Sequence, residues 1–512
     1  MNPPSTDPPR RRPYWTLAAL AVLLVIPVTW AGIALLAAAA ATGAVAVIRE
    51  VAARRARAAA AETPDTGVVL GRDMAGGVVT LSDRQLSAHG LIVGASGAGK
   101  STSLLRVLTD HVRRGRPVVA IDMKGSPAFA RELAAAAAAA GRPFVIWTPD
   151  GPSHWNPLQH GNATELKDKL IATERFTEPH YQRAAERYLQ TVLQVLQRAD
   201  PDRPPTVDGV VRLMDPRKLS GMLRHLPRPA AERVQDYLAT LTPDQLSAIR
   251  GLGTRLAIIS ESHTGPYLAP VGAGETGATV DLRSALEGRE VVLFSLNSST
   301  YGKLSAQLGT LAVQDLVTAV GHRLERRGAD AAGDQALIGI DEFSAVGSDN
   351  VISLLARGRE AGVSVLLATQ ELADLDRAAR GLRDQVLGNT AVKLAHRQDV
   401  PASAQTIAEM AGTETAWADT QQIGGRLFGA QHTGRGTRRQ VEQFIVHPNE
   451  IKALPTGQAV LITKLPTARA RTVRVSAPQQ HGGSERSGPE RTGPARTGPA
   501  PGGPQTRGPE RG

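Results

Sequence analysis

Apolar and polar positions fall along this chain in three regimes. From Thr16 to Ile48 no side chain is charged, a run well beyond the ~18 apolar residues that mark a membrane helix. As one straight helix it would measure about 50 Å at ~1.5 Å per residue, against a hydrocarbon core of ~30 Å. Pro27 removes a backbone donor and is followed by Thr29, Trp30 and Gly32, so a helical hairpin over 16–30 and 32–48 is expected. Trp15 and Trp30 then sit at opposite interfaces. A single tilted pass is the alternative. A cleaved signal peptide does not fit, since its apolar region spans only ~7–15 residues.

The second regime alternates short β-branched runs with helical patterns. The strand candidates are LIV (91–93), VVAI (118–121), FVIW (144–147), VVLFSL (291–296), ALIGI (336–340), VSVLLA (363–368) and AVKLA (391–395). Helical stretches between most of them predict a mostly parallel sheet covered on both faces. GQAVLI (457–462) adds a strand near the edge of that sheet. Between about Asn162 and Ser262 no strand is evident, only amphipathic segments such as YQRAAERYLQTVLQVLQ and ERVQDYLATL. This interval reads as an all-helical domain, 161–270, inserted between the sheet-forming parts 58–160 and 271–475. The third regime, 476–512, is dominated by Gly, Pro, Arg, Ser and Thr, with near-repeats in SGPERTGPARTGP. It has too little apolar surface to offset chain ordering and is expected to be disordered.

Charge sharpens the membrane reading. Arg10, Arg11 and Arg12 precede the apolar run, and Arg49, Arg54, Arg55 and Arg57 follow it. Basic flanks stay on the cytoplasmic side, so two such flanks favour an even number of passes. The expected arrangement is a basic cytoplasmic N-terminus (1–15), a membrane hairpin with its flank (16–57), and a cytoplasmic sheet domain at the cell's inner membrane. Over the whole chain 59 Lys and Arg oppose 48 Asp and Glu, a net charge of +11, which suits nucleic acid or an anionic bilayer. The absence of cysteine excludes a disulfide scaffold, an iron–sulfur cluster, a thiolate nucleophile and Cys-liganded zinc. With 4% aromatic residues, base-stacking platforms would be few.

The candidate chemistry begins just after LIV. GASGAGKS, Gly94 to Ser101, fits the phosphate-loop pattern in the strand–loop–helix context that pattern needs. Gly94, Gly97 and Gly99 free the backbone to bring its N–H groups to phosphates, with Ala95, Ser96 and Ala98 between them. The helix starting near Lys100 turns its positive end toward the same place. Lys100 would reach the β and γ phosphates, and Ser101, followed by Thr102, would coordinate Mg²⁺. A nucleoside-triphosphatase also needs a carboxylate at the end of a neighbouring strand, and ALIGIDEF supplies Asp341 and Glu342. Asp341 would hold magnesium through its water shell, and Glu342 would act as general base on water. That pairing points to ATP hydrolysis. Gln370 follows the next strand, at the edge where ligands of such sheets collect. Arg357 and Arg359 precede that strand and are candidates to reach a nucleotide on a neighbouring subunit.

These pieces together resemble the type IV coupling proteins, membrane-anchored ATPases of conjugative DNA transfer and type IV secretion. The resemblance runs over about residues 15–470 and rests on the hairpin, GASGAGKS, AIDMKGS (120–126), WNPL (155–158), the helical insertion, IDEF, RGREAGVSVLLATQ (357–370) and NTAVKL (389–394). The family form of the second segment is Asp-Pro-Lys-Gly, and Met123 stands here in place of the proline. The resemblance implies a RecA-like P-loop motor domain and a homohexameric ring. It puts the trans-acting arginine finger at Arg359, a glutamine at Gln370, and Asp122 and Lys124 near the nucleotide or the ring interface. Its implied partners are single-stranded DNA held by its backbone, the relaxase and relaxosome, and the secretion channel.

Three other readings share parts of the pattern. A double-stranded DNA translocase of the chromosome-segregation class has the same core, but generally more membrane helices and a C-terminal winged helix, and neither is visible. A protein-only secretion ATPase would lack stimulation by DNA. A membrane receptor regulated by nucleotide would tolerate Glu342→Gln.

Overall fold

The computed structural model describes residues 67–478, apart from 175, 177, 273, 275, 328–334, 347 and 427–428. The expected N-terminus and membrane hairpin, and the tail from 479 onward, lie outside the described residues. No described helix is long and apolar enough to cross a membrane.

In chain order the strands are β1 (Gly67–Asp73), β2 (Val78–Ser82), β3 (Gly90–Val93), β4 (Val118–Asp122), β5 (Phe144–Trp147), β6 (His154–Trp155) and β7 (Thr279–Val280). They continue with β8 (Val291–Ser295), β9 (Ala336–Asp341), β10 (Val363–Thr369), β11 (Val392–Ala395), β12 (Thr413–Arg426), β13 (Gly429–Phe444), β14 (Gln458–Thr463) and β15 (Arg469–Val475). Among the described residues one sheet takes eleven of them, in the order β2-β1-β15-β14-β11-β3-β10-β9-β4-β8-β5. Every neighbouring pair from β11 to β5 is parallel. Every pair from β2 to β11 is antiparallel. The parallel strands are the near-continuous apolar runs of the sequence, because helices cover both their faces. Val119 and Ile121 of β4 pack into one apolar cluster, Val118 and Ala120 into the other.

The sheet extends further than the apolar runs indicate. β14 is not near its edge: β15, β1 and β2 lie outside it. These three strands escape a sequence reading because they bury mainly alternate residues. β15, RARTVRV, is half arginine and polar and fully buries only Val473 and Val475. β12 and β13 form a separate two-stranded ribbon.

Between β6 and β7 the chain is helical: Ala163–Ile171, Pro179–Ala199, Val207–Leu213, Pro216–Met222, Arg228–Ala239 and Pro243–Ser260. β6 and β7 pair with each other, His154 with Thr279 and Trp155 with Val280, so the chain leaves and re-enters at one place. The WNPL segment fastens this junction. Trp155 Nε1 donates to Asp315 Oδ2 at 3.0 Å, Lys169 Nζ to Asp315 Oδ1 at 2.7 Å, and Asn156 Nδ2 to the Pro205 carbonyl at 2.9 Å. The Lys169 and Asp315 side chains are only 1% and 8% exposed. Removing one member of such a pair strands a buried charge, so Lys169→Ala is expected to cost about 3–5 kcal/mol. The urea midpoint of the purified chain measures it, and an unchanged midpoint would contradict the role given to this pair.

Candidate nucleotide-binding site

Four adjacent parallel strands, β3, β10, β9 and β4, bring their carboxyl ends to one edge. Thr369 pairs with Val93, Ala368 with Asp341, and Asp122 with Asp341. The phosphate loop leaves β3 there. Its Gly94 N–H is taken by the carbonyls of Thr369 and Gln370, and its Ala95 N–H by the Arg397 carbonyl at 2.8 Å. Ala98 accepts from Gly457 N at 3.0 Å. Gly97 and Gly99 have φ of 73° and 115°, a region open to glycine. The amides of Ser96, Gly97 and Gly99 have no hydrogen-bond acceptor among the described residues, and Ser96 and Gly97 are exposed. The helix Lys100–Arg113 begins with no side-chain cap. Unmatched N–H groups at a helix start form a ready anion site.

The charged groups converge on that loop. Lys100 is 4% exposed, and its ammonium donates to the Ala95 carbonyl at 3.3 Å. Burial lowers its pKa, opposed by the charges of Glu342, Asp341 and Glu371. Ser101 Oγ donates to Asp341 Oδ2 at 2.8 Å. Asp341 ends β9 at 1% exposure. Burial raises its pKa against the pull of Lys124, the Ser101 hydroxyl and Lys100. Glu342 follows in a left-handed conformation, φ 55°, a cost of roughly 1–3 kcal/mol for a residue with a side chain. Its Oε1 accepts from Lys124 Nζ at 2.6 Å and from Gln370 Nε2 at 3.2 Å.

The sequence leaves Lys124 without a definite job; the fold assigns it a contact. Asp122 is buried at the end of β4, and its carboxylate accepts from the amides of Lys124 at 2.9 Å and Ser126 at 2.5 Å. That turn delivers Lys124 to Glu342. Burial works against the Lys124 charge, but its hydrogen bond with Glu342 and the nearby Asp341 and Asp122 leave its pKa raised. Met123, in the family's proline position, is buried and plays no part in these contacts. Thr102 is exposed on the first turn of the helix.

Arg359 is the predicted site residue that the fold does not bring to this edge. It precedes β10, whereas Gln370 follows it, and it lies beside His89 just before β3. Within one chain it is separated from the phosphate loop by the length of the strands.

His396 went unnoticed in the sequence. It packs against Gly94, where a Cβ would lie 2.5 Å from the histidine Cβ. Its Nδ1 meets the Gln458 carbonyl at 2.9 Å, and its Nε2 meets Ser103 Oγ at 2.9 Å. The carbonyl can only accept, so Nδ1 carries the proton and Nε2 accepts from the hydroxyl. Burial holds His396 neutral with a pKa lowered to about 4; His89 is likewise lowered to about 4, and His111 to about 3. An unfolded histidine titrates near ~6.5, so between there and pH ~4 the unfolded chain binds more protons and stability falls as pH falls. His396 alone is expected to remove about 3 kcal/mol across that window. Asp122 and Asp341, raised by burial, act in the opposite sense at the acid end. Urea titrations from pH 7 to 4 measure the slope, and His396→Asn should flatten it.

With this geometry in hand, known proteins can be compared. Residues 335–456 match the family model described as the TraM recognition site of TraD and TraG. No curated protein sequence matches the chain. Among solved structures, the bacterial conjugative coupling protein TrwBdeltaN70 in an unbound form is similar, with TM-score 0.61 and 15% identity over 82% of this chain and 90% of that one. The plasmid coupling protein TrwB in complex with ADP and Mg²⁺ gives TM-score 0.57 and 14% identity, over 82% and 92%. VirB4 of Thermoanaerobacter pseudethanolicus gives 0.52 and 14%, over 81% and 97%. The large, mostly parallel sheet with its helices is therefore the fold of TrwB. The likeness to the coupling proteins read from the sequence is borne out.

Proposed function

We propose that this chain is an ATP-hydrolysing motor of conjugative DNA transfer. In this reading the segment 16–48 anchors it in the inner membrane with the sheet domain in the cytoplasm. A homohexameric ring passes single-stranded DNA, with its attached relaxase, to a type IV secretion channel. One observation carries the reading: Lys100, Ser101, Asp341, Glu342, Lys124 and Gln370 gather beside a loop whose amides lack partners. The match of residues 335–456 to a TraM recognition site supports a relaxosome partner.

The substrate would be ATP with Mg²⁺. The hydroxyl and carboxylate oxygens of Ser101 and Asp341, 2.8 Å apart, are the hard donor set that Mg²⁺ takes. The metal, when bound, neutralises charge on the phosphate oxygens. Lys100 gives up a single long hydrogen bond to reach the phosphates. Lys124 and Gln370 both bond Oε1 of Glu342, which leaves Oε2 to accept a proton from the attacking water. Gln370 fixes the carboxylate's orientation. Arg359, at the opposite edge, serves a nucleotide on a neighbouring subunit, which is why the reading requires a ring. DNA would be held by its phosphates, in keeping with the net charge of +11.

The test is ATP turnover by the detergent-solubilised full chain with single-stranded DNA, double-stranded DNA or no polynucleotide. Stimulation by single strands that fades with added salt is expected. Turnover driven only by duplex DNA would favour the segregation-motor class. No hydrolysis under any of the three conditions would overturn the motor.

A further inference from the structure

At the edge of the sheet remote from the phosphate loop lies a cavity of about 440 Å³ bordered by Arg359, Lys393 and Lys464. Register fixes its place. Lys393 of β11 pairs with Leu91, and Val392 with Gly90, the first residue of β3; the phosphate loop leaves the other end of that strand. Three cations meet there, and among the described residues no carboxylate lines the cavity.

Each cation is short of acceptors. Lys393 is 2% exposed, and its ammonium donates to the Thr390 carbonyl, one acceptor for three donor hydrogens. Burial, then the charge of Lys464, lowers its pKa to about 8. Lys464 is exposed and donates to the Met410 carbonyl at 3.3 Å. These carbonyls lie at the ends of the helices Leu382–Asn389 and Pro401–Ala411, where a cation is favoured, but they use one donor of each lysine. The Arg359 guanidinium has no hydrogen bond or ion pair among the described residues. The wall is held from two sides by His89, whose Nε2 donates to the Leu355 carbonyl at 2.8 Å while Nδ1 accepts from Val365 N at 3.1 Å.

We propose that this cavity is a second anion site, one that takes a phosphate group not held by the chain's own phosphate loop. A planar guanidinium and two ammonium groups offer paired donors and enough charge for a multiply charged phosphate. The group has two possible sources with the same chemistry: a phosphate ligand free in solution, or the terminal phosphate of a nucleotide seated in a second copy of this chain.

The test uses the full chain carrying Lys100→Ala, so that its result stands apart from the phosphate-loop reading. Inorganic pyrophosphate, titrated calorimetrically, is expected to bind once per chain. Lys464→Ser, an exposed change that should leave the melting midpoint in place, and the size-conserving Lys393→Met should each weaken binding about tenfold. That result supports the site with a free ligand. If Lys100→Ala chains bind no pyrophosphate, they are mixed with Lys393→Met/Lys464→Ser chains. ATP turnover above the sum of the separate activities then supports a site filled by a second copy. Pyrophosphate binding that neither lysine change weakens overturns the proposal. So does the absence of both binding and recovery on mixing.

Discussion

Glu342→Gln is expected to leave affinity for magnesium nucleotide near that of the parent chain and to cut turnover by about 10²–10⁴-fold, the range of a general base. The amide keeps the size of the side chain and can still face Lys124 and Gln370 through its oxygen, so the left-handed backbone at this position need not change. What it loses is the ability to take a proton. Binding of a fluorescent ATP analogue beside single-turnover hydrolysis separates the two effects. Equal hydrolysis by both proteins would remove Glu342 from the chemistry and favour the receptor reading, in which nucleotide is only a regulatory ligand.

Lys100→Ala should fail earlier, at the loop itself. Its ammonium has one intramolecular hydrogen bond, at 3.3 Å, so the fold gives up little when it is removed. A buried cation aimed at developing phosphate charge is worth about 10²–10³-fold in turnover, and affinity for the triphosphate is expected to fall with it. Lys100→Arg should not rescue, because a planar fork does not replace a compact ammonium in so enclosed a place. In cells, DNA transfer should be lost while the protein still reaches the membrane. Transfer at parental frequency would remove the motor.

The contrast between these variants follows from how differently their residues can be read. The phosphate loop is legible because eight consecutive residues carry the whole motif, and the strand and helix beside it are local patterns. Asp341 and Glu342 are legible as the end of an apolar run. Lys124 is different: its contact with Glu342 spans most of the chain and exists only because β4 and β9 are neighbours in the sheet. His396 is harder still, since nothing in its local sequence distinguishes it from any other histidine after a strand. Its partner Ser103 is 293 residues away.

The sequence by itself determined the apolar runs of the parallel core, the helical stretch after WNPL and the loop that can cradle phosphates. Each is a matter of period, glycine placement or spacing within a few residues, and such short-range preferences act before the chain has folded. The tertiary structure alone decided the order of the strands, the outer position of β15, β1 and β2, and the separation of Arg359 from the loop. It also decided that three cations share a cavity without a carboxylate. Those outcomes depend on which distant segments lie side by side, and that is settled by the packing of whole faces, where each residue contributes too little to be read alone.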